Sequence, residues 1–158
     1  LDAMKKIDYK APPMFHHLPS PGPMVNSPDA QGMLVATIFE EHEPMMSNAG
    51  AKEFVPVFNA RAKSANLPDN AVDTQAAASY AAWQVLEAGV KGANSIDDNA
   101  VAAWLKRNTV ASIQGPLRFD GPNNYGSDLT KIKQVQNKDW VVVWPRASAK
   151  PGTQYQPS

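Results

Sequence analysis

Apolar residues follow two rhythms along the chain, and the switches between them lay out alternating strands and helices. Met33 to Phe39, MLVATIF, is an unbroken apolar and β-branched run, the pattern of a strand covered on both faces in a parallel sheet. Ahead of it, Leu1, Met4 and Ile7 recur at helical spacing with Lys5 and Lys6 near the cationic end, and Pro12-Pro13 stops the helix. Met14 and Phe15 then open a short strand that runs into His16 and His17. The segment SPGPMVNSPDAQG that follows is turn chemistry throughout.

Beyond the buried strand the period becomes helical. In AKEFVPVFNARAKSA the residues Phe54, Val57, Phe58 and Ala62 share one face, with Ser47 or Asn48 as N-cap and Pro56 expected in the first turn or at a kink. DTQAAASYAAWQVLEAGVKG is alanine-rich, starts at an Asp73 or Thr74 cap, stops at Gly92, and lines up Tyr80, Trp83, Leu86 and Val90 as a core stripe. SIDDNAVAAWLKRN repeats the design, with Ser95 capping against Asp98, and with Val101, Trp104 and Leu105 facing inward. SIQGPLRFDG reads as a strand turning at Asp120-Gly121, while LTKIKQVQ and WVVVW form a hairpin across NKD. Trp140 and Trp144 flank that last strand and suit either core or site. The tail PRASAKPGTQYQPS is extended and offers no core. Strands interleaved with amphipathic helices predict an α/β chain built on a parallel sheet.

Composition narrows the function classes. The chain has 158 residues, with 15 basic against 15 acidic, so no charge excess points to nucleic acid or an anionic membrane. No run approaches the roughly 20 apolar residues of a membrane span, and LDAMKKIDYK has no signal-peptide pattern. There is no cysteine, which removes disulfides and thiolate chemistry. The first residues read as the end of a helix already under way, so a longer parent protein is expected.

Candidate chemistry is sparse. His16 and His17 point to opposite faces of a strand and cannot share one metal ion. The outward one, at the carboxyl end of a parallel strand, would look into the crevice where open α/β sheets bind ligands. Glu40, Glu41, His42 and Glu43 follow another strand end, so one of them could line the same crevice with Phe39. As a group they suit a solvated crossing or, as an alternative, an acid-base pair of His42 with Glu40 or Glu41. Nucleophile-elbow, phosphate-loop, dinucleotide and HExxH motifs are all missing from the sequence.

The order of pieces, FHHLPSPGP, GMLVATIF, DTQAAASYAAWQVLEAG, DDNAVAAWLKRN, IQGPLRFDGPNNYG and VVVWP, resembles the C-terminal half of bacterial solute-binding proteins of ABC transporters. The class is the branched-chain amino acid (Leu/Ile/Val-binding) one, with the type I periplasmic binding fold, and YAAWQVLEAG and GPLRFDGPN are the most specific parts. The resemblance implies two α/β lobes closing on a small molecule, periplasmic or as an extracytoplasmic lipid-anchored protein. It implies a permease as partner, with no catalysis, cofactor or metal, no nucleic acid and no membrane span of its own; a sensory or regulatory ligand-binding domain reusing the same fold is the further alternative. Residues 1–39 would finish the C-terminal lobe, 40–126 belong to the N-terminal lobe, and 127–158 make the final crossing and last strands; the missing N-terminal portion would supply the rest. Glu40 to His42 would lie at a hinge. His17 and Ser20 would be polar ligand contacts, Leu18 and Pro19 pocket wall, with Phe39 and Glu40 at the hinge edge. Where amino-acid binders of this family tend to carry an acidic residue, these positions carry none, so the resemblance points to an amide, a urea-like compound or an aromatic acid beside amino acid-like ligands. The proline-rich loop would be rigid before binding, which lowers the ordering cost.

Overall fold

The computed structural model describes residues 2–9, 14–16, 22–126 and 128–157. Four strands make the larger sheet: β1 (Phe15–His16), β2 (Leu34–Thr37), β5 (Lys131–Gln136) and β6 (Asp139–Trp144), in the order β1-β2-β5-β6. β1 runs parallel to β2, but β2 pairs antiparallel with β5 and β5 with β6. The MLVATIF run is therefore a central strand as expected, in a sheet that is mixed over the described residues. Its burial comes from having paired neighbours on both edges and covered faces, which an antiparallel neighbour provides as well as a parallel one.

Between β2 and β5 the chain builds a helical layer from α2 (Ala51–Ser64), α3 (Thr74–Ala93) and α4 (Asp98–Leu105). A short ribbon joins it, β3 (Val110–Ser112) with β4 (Gly115–Leu117). A further helix, α1 (Asp2–Lys6), precedes the sheet, as the Met4–Ile7 spacing predicts. The Asp73 cap is confirmed: its carboxylate accepts from the Ala76 amide at 2.7 Å. α4 is capped by Asp97 rather than Ser95; the Ser95 hydroxyl instead accepts from the Asp97 amide, setting up the cap one step earlier. α2 is entered through Gly50 at φ 80 rather than through Ser47 or Asn48, and Pro56 sits in its second turn without ending it.

Gly92 does not stop α3, which continues to Ala93 and closes on Asn94 in the left-handed conformation. The glycine is there for contact: a Cβ would sit 2.1 Å from Cε2 of Trp104, so only a bare backbone lets α4 pack this closely. The chain bends at Gly121 as expected, leading into a 3-10 turn at Pro122–Asn124, and an additional turn at Ile113 and Gln114 splits the expected strand into β3 and β4. At the β5–β6 hairpin the reading NKD is right, with Asn137 and Lys138 both at positive φ, 53 and 63.

Two apolar clusters hold these layers. One gathers Met45, Val55, Val72, Ala77, Ala81 and Ile113 of the helical side around Phe39 and Val142 from the sheet side. The other contains Ala30, Met33, Val35, Val135 and Trp140. Phe54 stacks on Tyr80 with centroids 4.1 Å apart, clamping α2 to α3. Two helical faces differ from expectation. Val57 is exposed while Val55 is buried, and Trp83 and Leu86 point to solvent while Ala77, Ala81 and Gly89 are buried.

β5 hides an unusual amount of polarity. Lys131, Lys133, Gln134 and Gln136 are all buried. The extended tail, expected to offer no core, satisfies the two glutamines through polar contacts: Gln134 Nε2 donates to the Gln156 carbonyl at 2.8 Å, Gln136 Nε2 to that of Gln154 at 2.7 Å, and the Gln156 amide donates back to Gln134 Oε1.

Two stability changes follow. A lysine in the left-handed region is held against its Cβ preference at a cost of about 1 kcal/mol, so Lys138→Gly is expected to raise the unfolding free energy by up to a comparable amount in chemical denaturation. Phe39→Ala empties a fully buried site and is expected to lose roughly 3–5 kcal/mol in chemical denaturation.

Candidate functional site

The strand β2 ends at Thr37, and the three residues Glu40, Glu41 and His42 carry the chain from the sheet to the helical layer. Glu40 turns back to the sheet. Its Oε1 receives the Lys133 ammonium at 2.6 Å and the Thr37 hydroxyl at 2.8 Å. The pair is deeply placed, with side-chain exposure of 6% for Lys133 and 15% for Glu40. The ammonium also lies 4.7 Å from the ring centroid of Trp140, a cation–π contact on its other side. Burial pushes the Glu40 carboxyl above its ordinary value, and the charge and hydrogen bonds of Lys133 and Thr37 pull against it.

Glu41 turns the other way. Its Oε1 accepts from the Val72 amide at 2.6 Å, and its Oε2 from Asn59 Nδ2 of α2 at 3.1 Å. Adjacent carboxylates are thus tied to different layers, one to β5 and one to the helices. A weaker bridge runs beside them, Thr37 Oγ1 to Thr74 Oγ1 at 3.3 Å.

These residues form one wall of a cleft of about 450 Å³. Asn26 and Asp69 line it from two loops, and Trp140 with Lys150 from the β6 side. The loops approach closely: Asp69 comes so near Gly22 that a Cβ there would fall 1.5 Å from Oδ2. The charged groups of the cleft are mostly committed. Lys150 pairs with Asp139 at 2.5 Å, and the other Asp69 oxygen, Oδ1, accepts from the Ala71 amide. Two buried nitrogens in the lining, His42 Nε2 and Trp140 Nε1, have no hydrogen-bond partner.

The acid-base alternative does not assemble. His42 Nδ1 is engaged by the Glu43 carbonyl at 2.8 Å, and the hydrogen bonds of Glu40 and Glu41 go elsewhere. Among the described residues there is no group of three histidine, cysteine or carboxylate side chains able to hold a metal ion. No described helix is long and apolar enough to cross a membrane.

Of the residues singled out from the sequence, Glu40 lies in the cleft wall. Phe39 does not: it is fully buried among Met45, Val55 and Val142, because the backbone turns after β2 and sends its ring into the core. His17, Leu18, Pro19 and Ser20 lie outside the described residues. Trp140, which the sequence left open between core and site, lies in both a core cluster and the cleft lining, while sequence reasoning missed Lys133 and Asp69. Lys133 stands opposite Val142 and Trp140 opposite Val135 in the β5–β6 ladder, so the ammonium meets the indole along a diagonal. Nothing local marks Asp69.

A family model described as periplasmic binding protein matches residues 18–139. No curated protein sequence matches the chain. Among solved structures, an extracellular ligand-binding receptor from Rhodopseudomonas palustris HaA2 is similar over 89% of this chain and 43% of its own, with 18% identity and a TM-score of 0.66. An ABC transporter solute-binding protein from R. palustris, solved in complex with benzoate, is similar over 87% of this chain and 36% of its own, with 20% identity and a TM-score of 0.59. The chain therefore spans less than half the length of these structures. With 18–139 covered by one family model and the fold shared with these receptors, the chain belongs to the periplasmic binding protein family and carries part of its type I fold.

Proposed function

We propose that this chain is part of an extracytoplasmic solute receptor that encloses a small molecule between two lobes and hands it to the permease of an ABC importer. The observation that carries the reading is the joint at Glu40-Glu41, where neighbouring carboxylates bind the sheet and the helical layer separately. Such a joint lets two packed bodies rotate about a short link, the hinge mode of ligand enclosure. Residues 1–39 and 127–158 then belong with one body and its crossings, and 40–126 with the other. Family membership supports the same reading.

Within it, His17 and Ser20 are polar contacts for the solute, with Leu18 and Pro19 as pocket wall, and Glu40 acts through the hinge. Phe39 supports the joint from the core. The solute class is an aromatic acid, an amide or urea-like compound, or an amino acid-like molecule; the aromatic acid gains support from the benzoate bound to a structural relative. Standard α-amino acids are disfavoured because residues 17–20 offer no carboxylate for an ammonium group.

Two measurements test this. In a thermal-shift panel of the full-length protein, one of these classes is expected to stabilise the fold, by about 2.7 kcal/mol at a hundredfold excess over Kd; chemical conversion of the solute, or indifference to every class, would end the receptor reading. The second concerns pH. Because Glu40 in the folded protein holds its proton more tightly than in the unfolded chain, the resulting stability term is present below the ordinary 4.5 and is lost as pH rises through the raised folded value. Glu40→Gln carries no such term. Wild-type stability relative to Glu40→Gln, from denaturation at a series of pH values, is expected to fall over that window and level off above it.

A further inference from the structure

Two side chains of the cleft wall carry nitrogens that the protein leaves unbonded, and their chemistry is complementary. Trp140 is only 9% exposed. Its ring face meets the Lys133 ammonium, but the indole Nε1–H, which can only donate, has no acceptor. His42 Nδ1 lies 2.8 Å from the Glu43 carbonyl. A carbonyl only accepts, so Nδ1 carries the hydrogen, and in the neutral ring Nε2 is left as an acceptor. It too is buried and has no partner. Buried polar groups of native proteins are bonded in the great majority, so a donor and an acceptor left dry in one wall call for a partner from outside the chain.

We propose that the cleft holds its solute by a neutral amide group, a carboxamide or a urea, whose carbonyl oxygen accepts from Trp140 Nε1–H and whose N–H donates to His42 Nε2. The inference rests on the receptor reading above and narrows its solute classes to one. A carboxylate offers two acceptors and no donor, so it would set a lone pair against that of His42 Nε2. An amidinium offers donors alone and would set an N–H against that of Trp140. A site built on one donor and one acceptor rejects both, because one buried group then stays unpaired.

The charge of the cleft argues the same way. Glu40, Glu41, Asp69 and Asp139 line it beside the ammonium of Lys150. Lys133 neutralises Glu40 from behind and Lys150 pairs with Asp139. Among the described residues, Glu41 and Asp69 have no ion-pair partner. An anionic solute would therefore enter against two uncompensated negative charges. A cation gains little in exchange, since both Glu41 oxygens already accept bonds, Asp69 Oδ1 accepts from the Ala71 amide, and Asp69 Oδ2 is pressed against Gly22. The apolar part of the lining, Val25, Pro68, Ala71 and Val72, suits a small hydrocarbon body attached to the amide.

Isothermal titration calorimetry of the full-length receptor tests this with benzamide, benzoate and benzamidine, the neutral, anionic and cationic versions of one shape, and with acetamide and acetate as a smaller pair. At least one amide is expected to bind roughly tenfold or more tightly than the acid of the same shape. Trp140→Phe, and His42→Asn, which keeps a donor toward Glu43 but removes the Nε2 atom, are each expected to weaken the amide roughly tenfold and the acid little. His42→Gln, which returns an acceptor near that atom, is expected to restore part of the preference. Thermal melts without solute check that the variants fold, and the comparison on the wild-type protein needs no variant. If an acid matches or exceeds its amide, or if the variants weaken amide and acid alike, the inference fails. Binding of benzoate alone overturns this inference and upholds the receptor reading. If neither amide binds, this inference fails and the receptor reading is decided by the other classes of the thermal-shift panel.

Discussion

A buried ammonium on the central strand sets the terms for much of this structure. Lys133 sits on β5 between β2 and β6, where its charge has almost no water. An ion in that position must be met by an opposite charge and further polar contacts, or the strand will not stay buried. Glu40 supplies the charge, Thr37 helps to hold the carboxylate, and the Trp140 face covers the remaining side. The backbone between Thr37 and Glu41 follows from this. The chain leaves β2, bends so that Glu40 folds back on β5, and only then is free to send Glu41 to the helical layer. The joint is positioned by a charge pair, and Phe39, between Thr37 and Glu40, is pressed into the core as a result.

The same strand shows how polar burial specifies an arrangement without adding much stability. Gln134 and Gln136 would each be costly if left dry and unpaired. The Gly32 carbonyl and the carbonyls of Gln154 and Gln156 accept from their amides, and a Gln134–Gln136 contact links the two. A one-residue slip of the tail would break the bonds to Gln154 and Gln156, so the tail is fixed in register although it adds few apolar contacts. Placement here comes from hydrogen-bond matching, whereas the helical layer is placed by packing, chiefly the Phe54–Tyr80 stack and the Trp104 indole against Gly92.

What could be read from the sequence divides along physical lines. Local signals were legible: the Asp73 cap, the buried run at Met33 to Phe39 and the hairpin at Asn137 and Lys138 depend on neighbouring residues and survive any tertiary context. Signals that depend on a distant partner were not. Nothing in KIKQVQ announces buried lysines and glutamines, because polar residues in a strand usually mean a solvated face. Their burial is decided by Glu40, 93 residues away from Lys133, and by the tail. The capping role passed from Ser95 to Asp97 because both can cap, and the choice depends on which turn α4 begins in. For the site, Glu40 and the junction were legible from position after a strand and Trp140 was left open between core and site, while Lys133 and Asp69 enter only through the fold. The histidine-proline loop, the strongest sequence hint, lies outside the described residues.

The character of the joint is set by what its carboxylates bind. Catalytic carboxylates are held with an open side toward a reacting atom, and a base needs a proton within its reach. Here both oxygens of Glu41 accept bonds from the protein, and the bonded oxygen of Glu40 serves Lys133 and Thr37 at once, so these carboxylates work on the fold itself. That use suits a moving joint. Apolar interlocking resists rotation, since opening it by a fraction of an ångström already forfeits contact. Charged hydrogen bonds at a short link resist less, because water can take up any bond that opens. In this chain the polar link at Glu40-Glu41 stands beside an apolar contact between the layers, in which Phe39 and Val142 pack among helical-side residues.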